Sequence, residues 1–146
     1  MVSVCIATYN GEKYLRQQIE SILPQLSKED EIVISDDCST DRTVEILKVF
    51  NDERIKIFVN ESNLGVVENF ENAIKQSIGE YVFLSDQDDV WKPNKVETIK
   101  QLLQTYDFVS HNAEIINDEP ILTSLICLLG ANIDFLNVQL IIYAFF

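Results

Sequence analysis

Three carboxylates fall within the five residues Ser85-Asp86-Gln87-Asp88-Asp89. Asp86 and Asp88 stand two apart, so in an extended turn they point the same way. A pair of hard oxygen donors on one side of a chain suits a divalent cation such as Mg²⁺ or Mn²⁺. The ordinary explanation of such a D-x-D is a solvated acidic turn, but its flanks argue for more. Three like charges held this closely repel one another, which a cation would relieve and a free surface turn would avoid. A metal bound here would require a second anion to complete its shell.

The cluster follows Glu80-Tyr81-Val82-Phe83-Leu84, a run of β-formers without helical period, which places it just past the carboxyl end of a strand. Open α/β sheets hold their ligands at that end. Val90-Trp91-Lys92-Pro93 comes next and reads as an aromatic anchor followed by a proline at the first position of a helix.

Upstream, Val2 to Thr8 is a near-continuous apolar run of the kind buried on both faces of a parallel sheet, and its place in the pattern is central. Tyr9-Asn10-Gly11 turns the chain, and Tyr14, Leu15, Ile19, Ile22 and Leu23 then recur at helical spacing up to Pro24. Tyr9 is placed to stack on a planar ligand group or simply to pack the turn. Ile32 to Ser35 forms a second strand, closed by Asp36-Asp37-Cys38-Ser39-Thr40-Asp41. Ser39 or Thr40 is the expected N-cap of a helix with Val44, Leu47 and Phe50 on its core face. One carboxylate of this loop could serve that helix end, and two adjacent aspartates at a strand terminus also suit a ribose or base.

Ile55 to Val59 is a third strand. Asn63-Leu64-Gly65 then makes a turn before a helix with Val66, Val67, Phe70, Ala73 and Ile74 on one face, for which Gly79 is the expected C-cap. A fourth helix is expected from about Pro93 to Gln104, burying Val96, Ile99, Leu102 and Leu103, and Phe108 to His111 reads as a further strand. The alternation predicts a parallel βαβ sheet.

Composition sets the limits. The 146 residues, 47% hydrophobic, suffice for one domain with a sizeable core. A net charge of -13 with a pI near 4.3 and no basic patch excludes nucleic acid as partner. Cys5, Cys38 and Cys127 are odd in number and unevenly spaced, which argues against a disulfide framework or zinc site and for a reducing, cytoplasmic compartment. The apolar run at the N-terminus is too short for a signal peptide. Gly11 stands alone between residues 8 and 14, so the glycine fingerprint of nicotinamide and flavin folds is missing.

Four motifs in order, Val2 to Asn10, Ile34 to Asp41, Asn63-Leu64-Gly65 and Gly79 to Asp89, resemble those of family 2 glycosyltransferases. Ser-Asp-Gln-Asp-Asp-Val-Trp is most similar to the rhamnosyltransferase-like bacterial members of that family. The resemblance implies a Rossmann-like GT-A domain of α/β class, with a mostly parallel sheet, over residues 1–117. It implies that Ala7 and Tyr9 line a nucleotide site, that Asp37 receives the base with Asp36 beside it, and that Asp86 lies near the ribose or metal. Asp88 would hold Mg²⁺ or Mn²⁺ against the diphosphate, and Asp89 could face the donor sugar or the acceptor. Asn63 and Gly65 would shape the loop beneath the nucleotide. The implied reaction is inverting transfer of a sugar from a UDP- or dTDP-sugar to a saccharide or lipid-linked acceptor in cell-surface polysaccharide synthesis, at the inner face of the membrane.

The family's general base lies in an acidic motif farther downstream. Asp118 and Glu119 do not match it, and His111 reads as a packed or capping histidine. Residues 118–146 are aliphatic and aromatic and match nothing expected of an acceptor subdomain. They suggest a truncated or frame-shifted reading of a longer gene, with membrane-surface contact or self-association through the apolar end. A catalytically inactive nucleotide-binding or interaction module of the same fold is the alternative. A pyrophosphorylase-like nucleotidyltransferase is disfavoured by the lack of a basic phosphate loop after the first strand.

Overall fold

The computed structural model describes residues 1–111 and the backbone of residues 125–129. Asp118, Glu119 and the membrane or self-association role read into the apolar tail lie outside the described residues.

Strands β1 (Val2–Thr8), β2 (Glu31–Asp36), β3 (Ile55–Val59) and β4 (Tyr81–Asp86) alternate with helices α1 (Leu15–Ile22), α2 (Thr43–Val49) and α3 (Val66–Gln76). Helix α4 (Lys95–Leu103) leads to β5 (Phe108–His111), and β6 (Leu125–Leu129) follows. One six-stranded sheet results, in the order β3-β2-β1-β4-β6-β5. Neighbours among β1 to β4 run parallel, as the alternation of strands and helices predicts. β6 runs antiparallel to both β4 and β5. It falls inside the aliphatic segment that the sequence sets apart, so the sheet draws on residues beyond 117.

All seven residues of β1 are buried, as a strand covered on both faces requires. Its alternate side chains feed two cores. Val2, Val4 and Ile6 pack with Leu15, Ile19, Ile22, Leu47, Phe83, Trp91, Val96 and Ile99, whereas Cys5 and Ala7 pack with Val33, Phe70, Ala73 and Leu84. Helices α1, α2 and α4 thus cover one face and α3 the other. Truncating a filled site such as Phe83 to alanine removes about 3–5 kcal/mol.

Local expectations are corrected in four places. α4 starts at Lys95, because Asn94 before it adopts a left-handed conformation (φ 65°) that ends helical continuity with Pro93. Leu102 is exposed on the flank of that helix, outside the stripe formed by Val96, Ile99 and Leu103. Gly79 does not cap α3, whose C-cap is Ser77; a β-carbon on Gly79 would stand 2.6 Å from the Ser3 backbone nitrogen, so close approach to β1 is its reason. Neither Ser39 nor Thr40 caps α2. The N-cap is Arg42, which makes no side-chain cap bond, and Asp41 before it satisfies the first helical amide, its Oδ1 accepting from Thr43 N–H at 2.9 Å.

Candidate functional site

β1 sits between β2 and β4, and the chain moves outward through β2 and β3 before returning to the other side of β1. The carboxyl ends of β1 and β4 therefore flank the point where strand order reverses, the place at which such sheets open a crevice. A cleft of about 620 Å³ lies there, lined by Ala7, Thr8, Tyr9, Asp37, Asn63, Gly65, Val66, Asn69, Asp86, Gln87 and Asp88. The structure thus brings Ala7, Tyr9, Asp37, Asp86 and Asp88 together around one cavity, although they come from three separate βα junctions.

Asp86 is the last residue of β4 and pairs in register with Ala7. Burial pushes its carboxyl up to about 7, with the charges of Asp89 and Asp88 adding to the shift. Asp89 is buried at 5% exposure and does not line the cleft. Burial raises its carboxyl to about 6 against the pull of Lys95, and Asp88 adds to the rise. Its Oδ2 has no hydrogen-bond partner among the described residues.

The strand end carrying these acids is held from behind. Ser85 Oγ accepts from Trp91 Nε1 at 3.0 Å and from Gln18 Nε2 at 3.0 Å, and Gln18 Nε2 also donates to the Asp86 carbonyl. The Trp91 amide donates to Ser21 Oγ at 2.9 Å, its ring packs 5.9 Å from Phe83, and Lys95 Nζ lies 4.3 Å from the ring centroid. The tryptophan is an anchor, as its position in the sequence suggests.

The two aspartates after β2 have separate surroundings. Asp36 is fully buried and outside the cleft lining. Its Oδ2 accepts from Thr8 Oγ1 at 2.8 Å and from Ser39 Oγ at 2.6 Å, and its Oδ1 accepts the Ser39 amide at 2.9 Å, so it staples β1 to the loop after β2. Asp37 reaches across to the start of α3. Its Oδ1 accepts from Asn60 Nδ2 at 3.0 Å and from the Leu64 amide at 2.8 Å, and its Oδ2 accepts the Gly65 amide at 2.8 Å. A carboxylate from another loop thereby adds to the negative charge that Glu68 places in the first turn of α3. A carboxylate offers about four acceptor positions, so these three bonds leave one unused, on Oδ2 of a side chain that is 2% exposed in the cleft lining.

Gly65 makes this possible, with φ 88° and ψ 164°, a conformation nearly confined to glycine. Beneath it lies a polar network that the sequence did not reveal. Asn60 Nδ2 donates to Asn69 Oδ1 at 3.0 Å, Asn69 Nδ2 donates to the Thr8 carbonyl at 3.2 Å, and Asn72 Nδ2 donates to Asn60 Oδ1 at 2.9 Å. Asn69 is 2% exposed yet lines the cleft, and only its place one residue before Phe70 on α3 could have hinted at that. Tyr9, by contrast, is 48% exposed at the rim, free to stack on a planar group.

The family model described as "Glycosyl transferase family 2" matches residues 3–126. The chain is 34% identical over 123 residues to the Escherichia coli UDP-Glc:alpha-D-GlcNAc-diphosphoundecaprenol beta-1,3-glucosyltransferase WfgD, covering 83% of this chain and 49% of the relative. Among solved structures it superposes on S. aureus TarS 1-349 in complex with UDP-GlcNAc with a TM-score of 0.73 at 29% identity, covering 82% of this chain and 36% of that one. A mannosyltransferase from Pyrobaculum calidifontis, solved with GDP-Man and Mn²⁺, shares the fold with a TM-score of 0.68 at 21% identity, over 75% of this chain and 34% of that one. The chain spans from about a third to about half the length of the curated relatives it matches.

Proposed function

Because the chain belongs to glycosyltransferase family 2, with the GT-A fold, we propose that it forms the donor-binding portion of an inverting glycosyltransferase. Its donor would be a nucleoside-diphosphate sugar, UDP-linked or dTDP-linked, and its acceptor a saccharide or lipid-linked saccharide of cell-surface polysaccharide synthesis at the inner face of the membrane. One observation carries the reading. A single cleft at the strand-order reversal gathers an exposed aromatic ring, a carboxylate with a spare acceptor position, and the two acids of the D-x-D.

The residues sort along the cleft by chemistry. Tyr9 is the surface for the base, and Asp37 Oδ2 is the acceptor for a base N–H. Ala7 and Asn69 form the floor, and Asp86 and Asp88 mark the diphosphate end. Asp36 acts from below, fixing the ends of β1 and β2.

Among the described residues no group of three or more His, Cys, Asp or Glu side chains is arranged to hold a metal unaided. Mg²⁺ and Mn²⁺ commonly take one or two protein carboxylates and complete their shell with phosphate oxygens and water. Asp86 and Asp88 fit that part, since burial and mutual repulsion already disfavour the ionised Asp86 and a cation would offset both. A bound divalent ion would supply charge neutralisation for the departing nucleoside diphosphate. Asp89, buried and outside the lining, is better placed to support the turn than to take a proton from an acceptor.

Titration of the chain with UDP, dTDP and GDP, with and without Mn²⁺, tests the reading. One of these should bind with affinity that depends on the metal, and Asp88→Ala should abolish the metal-dependent part. Binding indifferent to both metal and Asp88 would remove the basis of the assignment.

A further inference from the structure

We propose that Gln87, the residue between the two cleft acids, is a positioning residue that locks the base end of the nucleotide site to its phosphate end, an inference that rests on the reading of the cleft just given. Its side-chain amide is spent on one residue of the neighbouring loop. Oε1 accepts the Tyr9 N–H at 2.9 Å, and Nε2 donates to the Tyr9 carbonyl at 3.1 Å. β1 ends at Thr8, so Tyr9 lies beyond the parallel ladder. A glutamine amide holds a donor nitrogen and an acceptor oxygen at fixed spacing, which matches the C=O and N–H of a single peptide residue.

The rest of that loop is tied in the other direction. The amides of Asn10, Gly11 and Glu12 donate to Ser39 Oγ at 2.9 Å, Thr43 Oγ1 at 2.8 Å and Asp41 Oδ2 at 3.1 Å, all on the β2–α2 side. Tyr9 is where the loop is drawn toward β4 instead. Gly11 leaves room for this, because a β-carbon there would stand 2.4 Å from Gln87 Oε1 and 2.9 Å from its Cδ. Gly11 and Gln87 therefore form one fitting, which holds the Tyr9 backbone, and with it the root of the ring, beside the strand end that carries Asp86 and Asp88. A nucleotide long enough to touch both ends meets a site already spaced for it and avoids the cost of ordering the loop.

The test is a mutant cycle on the full chain with Gln87→Ala, Gly11→Ala and the double variant. UDP with Mn²⁺ is followed by calorimetry and uridine by NMR titration, and thermal melts confirm that each variant is folded. Each single variant should weaken UDP with Mn²⁺ by about tenfold, the scale of losing well-formed hydrogen bonds. Each should also weaken uridine, which reaches neither acid. The double variant should bind no worse than Gln87→Ala alone, since the added methyl then has nothing to strike. Unchanged uridine affinity in Gln87→Ala, or penalties that add in the double variant, would overturn the coupling while leaving the nucleotide site standing. A wild-type chain that binds none of UDP, dTDP and GDP even with Mn²⁺ would overturn the underlying reading together with this one.

Discussion

Asp37→Asn separates two jobs that the structure gives to one side chain. The carboxylate receives Asn60 and Leu64 on Oδ1 and Gly65 on Oδ2. An amide oxygen can still take two donors, so the cheaper orientation keeps Oδ1 in place and turns the new NH₂ toward the Gly65 amide. That sets donor against donor and loses one charge-assisted bond, worth about 1.5–3 kcal/mol in a buried setting. Leu64 and Gly65 are exposed, so water recovers part of it and the net loss is about 1–2 kcal/mol. At roughly 3 °C per kcal/mol for a domain of this size, Tm should fall by about 3–6 °C. The base loses its acceptor at the same atom, so affinity for UDP with Mn²⁺, measured well below the melting range, should fall by about tenfold or more. A lower Tm with unchanged affinity would leave Asp37 as a loop staple and refute its role as base acceptor. No change in either would refute the loop bonding as well.

Glu31 supports the opposite end of the sheet. Burial pushes its carboxyl up, but hydrogen bonds from Lys56 at 2.5 Å, Ser3 Oγ at 2.6 Å and the Ile78 amide at 2.8 Å outweigh it and hold the group below its ordinary range. Stability from a depressed carboxyl is present above its unfolded pKa and lost as pH falls through the folded one. Glu31→Gln should thus cost about 1–3 kcal/mol at pH 7 and progressively less below pH 4.5, the ordinary value, as urea denaturation at both ends of that range would show; a penalty constant with pH would count against it. Gly65→Ala forces a side chain into φ 88° and should destabilise by about 1–3 kcal/mol while weakening nucleotide binding through the displaced loop. Trp91→Phe keeps the ring but leaves Ser85 Oγ without the indole donor, so a loss of about 1 kcal/mol in thermal stability is expected.

The strands and the helical faces were legible because their patterns are clean: Val2 to Thr8 is near-continuously apolar, and Leu15, Ile19 and Ile22 recur one turn apart. The cleft was legible because acids and an aromatic follow strands directly. What the sequence hid lies in contacts between segments far apart along the chain. Asp36 and Asp37 are adjacent and chemically identical, yet one is swallowed by Thr8 and Ser39 while the other reaches α3, and no local pattern distinguishes them. Gln87 occupies the unspecified middle of D-x-D, so its bond to Tyr9 had no signature. Helix ends were misplaced where the chain left the helix before its glycine, as at Ser77 after α3, or where Asn94 used a left-handed conformation. β6 carries no alternation to mark it, being the unbroken apolar run Leu125-Ile126-Cys127-Leu128-Leu129.

The acid-bearing strand β4 is laced on both sides, to β1 through Ala7↔Asp86 and to β6 through Tyr81↔Leu129. A slip of one residue would rotate every side chain to the reverse of the sheet and would have to break both ladders together. The spacing between the D-x-D and the floor of the cleft is consequently a whole-number property of the sheet, one that thermal motion blurs but does not reset. Any change of donor during evolution of such a site is therefore free to rework Tyr9, Asn69 or the loop at Asn63 while the phosphate end stays where the lacing puts it.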